Sequence, residues 1–366
     1  MKIAMVGLRA PWGTEGGIEY AVGHLAPRLV ALGCEVTVFC RSRYNTLGPG
    51  IHHGVRLVNV NTIYTRHLEA FVHTAVATPR AIATADIVHL HATGPSLLAW
   101  MPRMVRRATV VTLHGLDWQR AKWGRGARSI LKVGAWSAAT FPHQIIAVGQ
   151  HLVDHYQHQY GVTPCWIPNG VEPIDAAPLA AGKVSGLEPF SYLVFVGRIV
   201  PEKGLDRLIE AYGKSGIKLP LIIIGGATHM DEYMQRLKAN APAGVRMVGP
   251  RYGEARDALL ANARAFVLPS TLEGFPLAPL EAMAAGRPVI LSDIPPHREL
   301  LANAPEVGWI VPDNGWPEAL RDIDRADPKD LDNRGRAGKV HVAEHYTWDG
   351  VAKRTLQVYQ QALQAL

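Results

Sequence analysis

Two glutamates, Glu273 and Glu281, lie eight residues apart within a stretch of small and apolar residues, EGFPLAPLEAMAAG. Glu273 follows a predicted strand and loop, and Glu281 lies about one turn into the helix expected next, so both carboxylates can face one cleft. An unpaired carboxylate among apolar neighbours is costly, and each glutamate is therefore expected to have a hydrogen-bonding partner in the protein or in a ligand. The turn between them, residues 274–277, exposes backbone N–H groups to that ligand.

Two cations lie five residues apart in the segment GRIVPEKG, residues 197–204, between a predicted strand and a predicted helix. There Arg198 can grip a diphosphate with a bidentate fork, and Lys203 can do so as a point charge. A solvated loop with ordinary surface charges explains the spacing equally well, so this segment alone leaves both interpretations open.

A glycine-containing loop, residues 13–19 (GTEGGIE), precedes the first predicted helix. Glycines at a helix N-terminus allow backbone N–H groups to approach a phosphate, and the helix dipole favours its negative charge. Rossmann-like domains bind ligands at the carboxyl ends of their strands, where this loop is predicted to lie. The spacing is not the GxGxxG of dinucleotide-binding proteins, which disfavours an oxidoreductase, and a plain tight turn also explains Gly16 and Gly17.

These segments are positioned by two series of alternating strands and helices, as in parallel-sheet domains. The first series contains a strand, a helix and a strand, followed by three further strands: Lys2–Val6, Ile18–Leu32, Glu35–Cys40, Ile87–Leu90, Thr109–Leu113 and Gln144–Val148. The second contains six strands: Tyr192–Val196, Leu221–Ile224, Arg246–Val248, Ala265–Leu268, Pro288–Leu291 and Trp309–Val311. The predicted domains are residues 1–168 and 190–348, with a proline-rich linker at 169–189. An amphipathic helix at 349–366 is expected to pack back onto the first domain.

The composition, 48% hydrophobic and 19% charged over 366 residues, is that of a folded protein of two domains. Three scattered cysteines cannot form a disulfide framework, and no segment resembles a signal peptide or a membrane span, which predicts a cytoplasmic protein. The net charge of +7 arises in residues 1–168, which contain 16 Lys+Arg and 7 Asp+Glu. Nucleic acid, an anionic membrane surface or an anionic acceptor each account for this excess, but no nucleic-acid-binding module is recognisable.

Taken in chain order, these motifs resemble those of the retaining GT-B glycosyltransferases of family 4, also called glycosyl transferases group 1. The Glu-x7-Glu stretch resembles the family signature, GRIVPEKG its diphosphate-binding segment, IPNGV its linker entry and TEGGIE its glycine loop. DIVHLHA and VVTLHG resemble two strand ends of its N-terminal domain, and the matches run from residue 14 to residue 286. The resemblance implies an α/β GT-B fold, with two Rossmann-like parallel-sheet domains facing a central cleft. It also implies retaining transfer of a sugar from a nucleotide-diphosphate sugar to a hydroxyl acceptor, as in bacterial polysaccharide or glycoconjugate assembly.

The resemblance further implies a role for each matching residue. The catalytic residues would be His114, Arg198, Lys203 and Glu273, with the two cations neutralising the departing diphosphate. The donor would contact Gly16, Gly17, Arg198, Lys203, Glu273, Gly274, Phe275, Pro276, Leu277 and, at its ribose hydroxyls, Glu281. The nucleobase would lie near Gly249, Arg251 and Tyr252. Pro276 departs from the family, which often has glycine at this position, and its presence removes one backbone N–H.

No cofactor and no metal site are expected. The Asp-x-Asp sequence Asp322-Ile323-Asp324 lies in a polar predicted helix and is interpreted as surface. Metal-dependent transferases commonly place such a pair at a strand end. His151, His155 and His158 share one helical face but lack the companion carboxylates or cysteines of a known metal site.

The acceptor is expected on the first domain, where cations and tryptophans are interspersed between residues 100 and 136. Interfacial helices combine the two because indole rings lie at the headgroup level while cations meet anionic lipid. This predicts peripheral attachment to the inner face of the cell membrane, where a polyprenyl-diphosphate-linked sugar or another saccharide would be the acceptor. An ordinary surface helix with its tryptophans in the core is the alternative. Asp117 and Trp118, just beyond His114, are candidates to contact the acceptor.

Two other functions stay open on the sequence. A nucleotide-sugar epimerase of similar two-domain architecture would convert the donor without an acceptor. A noncatalytic nucleotide-sugar-binding protein would leave the donor unchanged, but such a protein has little need to retain both cations and both glutamates.

Overall fold

The computed structural model describes residues 1–13, 16–65, 68–175, 177–226 and 231–366. The chain divides into two compact units. The first comprises Met1–Gly170 together with Trp348–Leu366, and the second comprises Val171–Thr347. Each unit consists of one sheet with helices between its strands, which is the α/β class predicted from the sequence.

The first unit is built on an eight-stranded sheet. Its strands are β1 (Lys2–Val6), β2 (Glu35–Arg41), β3 (Gly50–His52), β4 (Val55–Val60), β5 (Ile87–His91), β6 (Ala108–Leu113), β7 (Gln144–Ala147) and β8 (Cys165–Trp166). They lie in the order β3-β4-β2-β1-β5-β6-β7-β8, and every pair is parallel except β3–β4 at one edge. The order reverses between β1 and β5, so the loops after these two strands border the crevice where folds of this kind bind ligands.

The helices of the first unit that precede residue 170 are α1 (Gly17–Ala31), α2 (Glu69–Thr84), α3 (Thr93–Ser96), α4 (Trp100–Met104), α5 (Arg125–Thr140) and α6 (Gln150–Tyr160). Short 3-10 turns occupy Ser42–Tyr44 and Asp117–Gln119. α1 buries Val22, Leu25 and Leu29 at the predicted helical spacing. It ends just before Gly33, whose φ of 86° is in the left-handed region that glycine tolerates.

The second unit is built on a six-stranded, fully parallel sheet. Its strands are β9 (Leu193–Val196), β10 (Leu221–Ile224), β11 (Val245–Gly249), β12 (Ala265–Leu268), β13 (Val289–Ser292) and β14 (Gly308–Val311), in the order β11-β10-β9-β12-β13-β14. Its helices are α7 (Leu205–Ser215), α8 (Asp231–Asn240), α9 (Gly253–Ala261), α10 (Leu277–Ala284), α11 (Pro295–Leu301), α12 (Trp316–Arg325) and α13 (Pro328–His345). Here the order reverses between β9 and β12, which makes their carboxyl ends the expected ligand site.

The C-terminal helix α14 (Trp348–Gln364) belongs to the first unit. The ring of Trp348 stacks on His24 of α1 with centroids 5.4 Å apart, and Asp349 forms an ion pair of 2.7 Å with Arg28. Tyr359 is fully buried. Leu366 lies beyond the end of the helix and is 52% exposed.

The segment predicted as a linker is structured over most of its length as part of the second unit, which begins at Val171. The carbonyl of Ala177 accepts a hydrogen bond of 2.9 Å from the Asn262 side chain, and Gly182 lies so close to Leu259 of α9 that a Cβ would approach its Cγ to 2.7 Å. The proline-rich segment is therefore a loop that packs on a helix of the second unit.

The sequence predictions omitted β3, β4 and β8. β4 reads VRLVNV, in which apolar and polar residues alternate for part of its length, so its pattern was available. β8 has only two residues, Cys165 and Trp166, and carries no pattern of its own. Among the described residues, no helix is both long and apolar enough to cross a membrane.

Candidate functional site

Lys203 and Glu273, both predicted to contact the donor, lie against each other at the carboxyl ends of β9 and β12. Lys203 Nζ lies 2.5 Å from Glu273 Oε1, and the Ser270 hydroxyl donates to the same oxygen at 2.6 Å. The two charged side chains are only 16% and 12% exposed. A buried ion pair with an additional hydrogen bond therefore lies at the point where ligands are expected in this sheet.

A close approach between the two loops explains why this pair can form. Gly204 has a left-handed φ of 65°, and a Cβ there would lie 2.2 Å from the carbonyl oxygen of Pro269. The backbone N–H of Thr271 also donates to the Glu202 carbonyl at 2.9 Å. The glycine at position 204 thus allows the loop after β9 to lie directly against the loop after β12.

The electrostatics of this site keep Glu273 ionised. Burial raises the pKa of Glu273, but the attraction of Lys203 and the hydrogen bonds from Lys203 and Ser270 outweigh it, so the pKa lies below the ordinary carboxyl value. His297 lies close enough to interact with both groups, yet burial lowers its own pKa to about 4. Because His297 is uncharged at neutral pH, Lys203 supplies the compensating charge, and Glu273 is a hydrogen-bond acceptor at that pH.

Sequence reasoning missed a set of polar residues behind this pair. His297 is fully buried, and its Nδ1 lies 2.9 Å from the carbonyl oxygen of Ser292. The Ser292 hydroxyl in turn donates to the carbonyl of Ser270, which precedes Glu273 by three residues. Ser292 is the last residue of β13, so the rule that strand ends carry ligand-facing residues could have identified it.

Arg198 lies on the same loop as Lys203 but is exposed. The structure therefore distinguishes two cations that the spacing treated alike. Lys203 is fixed by its ion pair and mostly buried, whereas Arg198 is exposed to solvent.

Glu281 lies in α10 and has a different partner from Glu273. Its Oε1 accepts a hydrogen bond of 2.8 Å from Arg256 Nη1, and the guanidinium also donates to Asp257 at 2.7 and 2.9 Å. The Glu281 side chain is 8% exposed. Each glutamate of the Glu-x7-Glu stretch thus has a hydrogen-bonding partner within the protein, as the apolar surroundings required.

The turn between the glutamates is predicted to contact the donor through its backbone. The Phe275 ring is buried and stacks on Tyr346 with centroids 5.6 Å apart, so this side chain is a core residue and only its backbone is available to a ligand. Pro276 immediately precedes α10, and Pro279 lies in its first turn. Since proline has no N–H, the first turn of α10 presents the backbone amides of Leu277 and Ala278 only.

The predicted nucleobase residues follow β11. Gly249 ends this strand with a φ of 75°, and the Tyr252 ring is 63% exposed. A cavity of about 540 Å³ is lined by Gly182, Lys183, Arg251, Tyr252, Glu254 and Ala255. The structure thus places Arg251 and Tyr252 in one concave surface, to which Lys183 adds a second cation.

In the first unit the glycine loop contains a carboxylate of the chain itself. Glu19 Oε1 accepts a hydrogen bond of 3.2 Å from the Arg9 backbone N–H, and a Cβ on Gly16 would lie 1.9 Å from Glu19 Oε2. Glu19 therefore occupies the space beside Gly16 at the N-terminus of α1. Thr14 and Glu15 of the predicted loop lie outside the described residues.

His114 belongs to a cluster of histidines at the ends of β5 and β6. Its Nε2 lies 3.2 Å from His91 Nδ1, and the His89 and His91 rings are 4.1 Å apart. His89 is held by two hydroxyls, that of Tyr359 at 2.7 Å from Nδ1 and that of Thr112 at 2.7 Å from Nε2. Burial lowers the pKa of His114 to about 4 and that of His89 to about 3, and it also lowers the pKa of His91. All three rings are therefore neutral at physiological pH.

The two acceptor candidates beyond His114 differ in accessibility. Asp117 is half-buried, accepts a hydrogen bond of 2.9 Å from the Thr93 hydroxyl and forms an ion pair with Arg120. Trp118 is 8% exposed and packs on His155, so most of its ring is buried, and its contact with the acceptor stays a prediction.

The four tryptophans between residues 100 and 136 differ in exposure. Trp118 is in the core and Trp123 is half-buried, whereas Trp100 on α4 and Trp136 on α5 are 40% and 50% exposed. The same two helices and the residue after α4 expose four further apolar side chains, namely Met104, Val105, Ile130 and Val133. Neither an interfacial surface alone nor an ordinary surface helix with its tryptophans in the core describes the whole segment.

The histidines of α6 are occupied by other contacts. His155 packs against Trp118 and Tyr160, and His158 Nδ1 lies 2.7 Å from the Asp154 carbonyl. Within the described ranges, no group of three histidine, cysteine, aspartate or glutamate residues is placed to hold a metal ion. Asp322 and Asp324 lie in α12, where the Ile323 between them is buried.

Comparison with known proteins gives two family matches. The Glycosyltransferase Family 4 profile matches residues 15–174, and the Glycosyl transferases group 1 profile matches residues 183–339. The chain is 25% identical to the alpha-maltose-1-phosphate synthase of Mycobacterium tuberculosis, over 98% of this chain and 99% of that protein. Its fold is similar to that of sucrose-phosphate synthase from Thermosynechococcus elongatus, with a TM-score of 0.84, 22% identity and 100% of both chains covered. It is also similar to the Anabaena protein HepE in complex with UDP-glucose, with a TM-score of 0.78, 18% identity and 100% of both chains covered.

Proposed function

The chain belongs to the family 4 glycosyltransferases (glycosyl transferases group 1), enzymes of the GT-B fold that use nucleotide sugars, and we propose that it transfers its sugar to a hydroxyl acceptor with retention of anomeric configuration and without a metal ion. The observation that carries this proposal is the buried pair of Lys203 and Glu273 at the β9 and β12 strand ends. It combines a fixed cation with an ionised hydrogen-bond acceptor at the expected ligand site of the sheet.

The cation matches the charge that develops during the reaction. Glycosyl transfer passes through an oxocarbenium-like state while negative charge accumulates on the departing diphosphate. A preorganised ammonium group in a site of low dielectric constant stabilises such charge more strongly than water does. Lys203 would supply this stabilisation, and the exposed Arg198 would add a bidentate contact to the same diphosphate.

The remaining donor contacts are distributed around this pair. Glu273 would accept hydrogen bonds from sugar hydroxyls, and Glu281 from the ribose hydroxyls, while Arg251 and Tyr252 would contact the nucleobase. Gly16 and Gly17 stay candidates for backbone contacts. The carboxylate of Glu19 beside them repels an anion, however, so we assign neutralisation of the diphosphate to the two cations of the second unit.

The acceptor side of the proposal rests on the first unit. His114, as a neutral imidazole, would form a hydrogen bond to the transferred sugar, and Asp117 would contact the acceptor hydroxyl. The exposed tryptophans and apolar residues of α4 and α5, together with neighbouring arginines, support attachment to the inner face of a membrane. A saccharide or a polyprenyl-diphosphate-linked sugar would be the acceptor, as in bacterial polysaccharide assembly.

A ligand screen tests the donor class. UDP-, GDP- and dTDP-sugars are added separately to the protein, and a donor that binds the native state raises its unfolding temperature. UDP-glucose is the first compound to examine because HepE, which has a similar fold, binds it. No shift with any nucleotide sugar would contradict the proposal.

The reaction itself is then examined with the donor that binds. Incubation with donor alone should leave the sugar unchanged, whereas a changed sugar would indicate an epimerase. Transfer to a saccharide acceptor should continue in excess chelator and give a product with the anomeric configuration of the donor. Loss of transfer in chelator would contradict metal independence.

A further inference from the structure

Two arginines and two tyrosines lie at the carboxyl ends of three neighbouring strands of the first unit. Arg9 follows β1, Arg43 and Tyr44 lie in the turn after β2, and Tyr64 follows β4. These strands are adjacent and parallel in the order β4-β2-β1, so their loops meet at one edge of the sheet. We call these four residues the Arg–Tyr row.

Direct contacts connect the members of the Arg–Tyr row. The guanidinium carbon of Arg43 lies 5.8 Å from the centre of the Tyr64 ring, and that of Arg9 lies 5.2 Å from the centre of the Tyr44 ring. The two tyrosine rings meet edge to face with centroids 6.2 Å apart. A guanidinium stacked on an aromatic face is held in orientation while its N–H edge stays available for a bidentate contact with an anion.

One carboxylate lies behind the row and is already engaged. Glu69 Oε1 pairs with Arg41 at 2.9 Å, and Oε2 accepts a hydrogen bond of 3.4 Å from the Tyr44 hydroxyl. Both partners of this ion pair are largely buried, with side-chain exposures of 9% and 15%. Glu69 therefore compensates the charge of Arg41 and orients Tyr44, which fixes the position of the row.

Arg43 and Tyr64 are available for a ligand. Arg43 is exposed and forms no ion pair with any residue that the structure describes. The Tyr64 oxygen accepts a hydrogen bond of 2.9 Å from the Arg43 backbone N–H, and its own proton has no acceptor within the described part of the chain. The guanidinium edge and this hydroxyl together form a donor set suited to a phosphate group.

Large apolar side chains are exposed in the segment that contains Tyr64. Ile63 is 53% exposed, Leu68 is 52% exposed and Phe71 is 44% exposed. A cation beside exposed apolar surface fits an amphiphilic ligand, whose anionic group would contact Arg43 while its hydrocarbon covers the apolar side chains. A polar sugar acceptor would leave these side chains in water.

We propose that the Arg–Tyr row binds the phosphate or diphosphate group of a lipid-linked acceptor, with Arg43 and the Tyr64 hydroxyl as donors and Ile63, Leu68 and Phe71 contacting the hydrocarbon chain. This inference rests on the proposed function, since it names the class of acceptor for the transferred sugar. The protein would then recognise the acceptor by its anionic group and its hydrocarbon chain, both of which are remote from the reacting hydroxyl.

Binding of farnesyl diphosphate to the full chain, measured by calorimetry, tests the inference. The variants are Arg43→Gln, Arg43→Lys and Tyr64→Phe, with Arg80→Gln as the matched control because Arg80 is an exposed cation near the C-terminal end of α2. Loss of a charge-assisted bidentate contact should weaken binding about 10- to 100-fold in Arg43→Gln. Arg43→Lys should lose less, Tyr64→Phe should lose several-fold, and Arg80→Gln should bind like the unmodified protein.

Two further ligands separate the possible sources of the anionic group. Farnesol, which lacks the diphosphate, should bind at least about tenfold more weakly than farnesyl diphosphate. If Arg43 contributes only to binding of phosphatidylglycerol vesicles and not to binding of soluble farnesyl diphosphate, the row contacts a bilayer and the inference is wrong. Equal binding of farnesyl diphosphate by all variants would also overturn it. The nucleotide-sugar screen is also carried out on the same variants. If neither the unmodified protein nor any variant binds a nucleotide sugar, the proposed function is contradicted instead.

Discussion

Two buried polar clusters, one at the carboxyl ends of the strands in each unit, are stabilised electrostatically in opposite ways. In the second unit Glu273 is kept ionised because Lys203 Nζ lies 2.5 Å from its carboxylate. In the first unit His89 and His114 are kept neutral because burial lowers their pKa values to about 3 and about 4. A fixed charge can oppose charge that develops on a leaving group, whereas a neutral ring contributes hydrogen bonds without changing the local potential.

This difference determines what a substitution does in each cluster. Removing one partner of a buried ion pair leaves an uncompensated charge, which commonly costs about 3–5 kcal/mol of stability. Removing one partner from a neutral cluster leaves an unsatisfied polar atom, which costs about 1–3 kcal/mol. A test of function at Lys203 therefore has to change both partners, whereas a single substitution is informative in the histidine cluster.

The largest expected effect is that of the paired substitution Lys203→Met with Glu273→Gln. Both replacements approximate the original shapes and leave no buried charge, so the unfolding temperature should change by only a few degrees. Transfer should fall about 100- to 1,000-fold, as is typical when one preorganised group that stabilises a developing anion is lost. The measurement is steady-state transfer from the nucleotide sugar identified by the ligand screen.

The matched control for this variant lies on α7. Lys214 and Glu210 form an exposed ion pair at 2.5 Å, and Lys214→Met with Glu210→Gln makes the same chemical change where solvent screens the charges. Transfer and unfolding temperature should both stay close to those of the unmodified protein. If the Lys203 and Glu273 variant transferred sugar at nearly the normal rate, the buried pair would be structural only.

A smaller effect is expected for Glu281→Gln. Because an amide is a weaker acceptor than a carboxylate, the apparent KM for the donor should rise about 10-fold while kcat changes less. Arg256 keeps its contacts with Asp257, so the fold should tolerate the change. Glu318→Gln, at an exposed position of α12, is the control. A large fall in kcat with an unchanged KM would assign Glu281 to the chemical step instead of donor binding.

The sequence motifs identified the segments of the candidate donor site but not the side-chain contacts between those segments. Lys203 and Glu273 were both assigned to the donor, yet their contact spans 70 residues of chain and depends on β9 lying next to β12. Strand order of this kind follows from long-range packing and has no local signal in the sequence. The partner of Glu281 was missed for the same reason, because Arg256 lies in another helix, outside every motif.

The sequence also did not predict whether an aromatic side chain faces the ligand or the core. Phe275 and Trp118 lie inside or next to functional motifs, and both rings are buried. A motif identifies the backbone that approaches a ligand, whereas the packing of neighbouring elements decides whether an aromatic ring faces that ligand or the core. Glu19 shows the same limit, since a glycine motif does not reveal that a carboxylate of the first helical turn folds back beside it.

The pH dependence of stability should differ between the two clusters. A histidine whose folded pKa is lowered binds its proton more readily in the unfolded chain, so stability is complete above about pH 6.5 and falls as the pH decreases toward the folded pKa. For His114 this window extends from about 6.5 to about 4. Each such histidine contributes a slope of at most ~1.4 kcal/mol per pH unit. The Glu273 pKa is lowered, so its contribution is present above the unfolded carboxyl value and is lost only at lower pH.

Unfolding by urea at pH 7.5, 6.5, 5.5 and 4.5 measures this slope. Between pH 6.5 and pH 4.5, the free energy of unfolding should fall less in His114→Asn than in the unmodified protein. The difference should equal the contribution of one histidine to the pH dependence. An identical slope in His114→Asn and the unmodified protein would show that folding does not lower the pKa of His114.

The smallest effect on function is expected for Tyr359→Phe, which separates structure from function in the histidine cluster. The Tyr359 hydroxyl lies 2.7 Å from His89 Nδ1, and both groups are fully buried, so its removal leaves one ring nitrogen without its partner. The free energy of unfolding should fall by about 1–3 kcal/mol, whereas the donor affinity, which we assign mainly to the charged residues of the second unit, should not change. Calorimetric titration with the donor and urea unfolding of the same sample measure both quantities. A weakened donor affinity at normal stability would show that the hydrogen bond between Tyr359 and His89, and not only the proposed contact of His114 with the sugar, contributes to ligand binding.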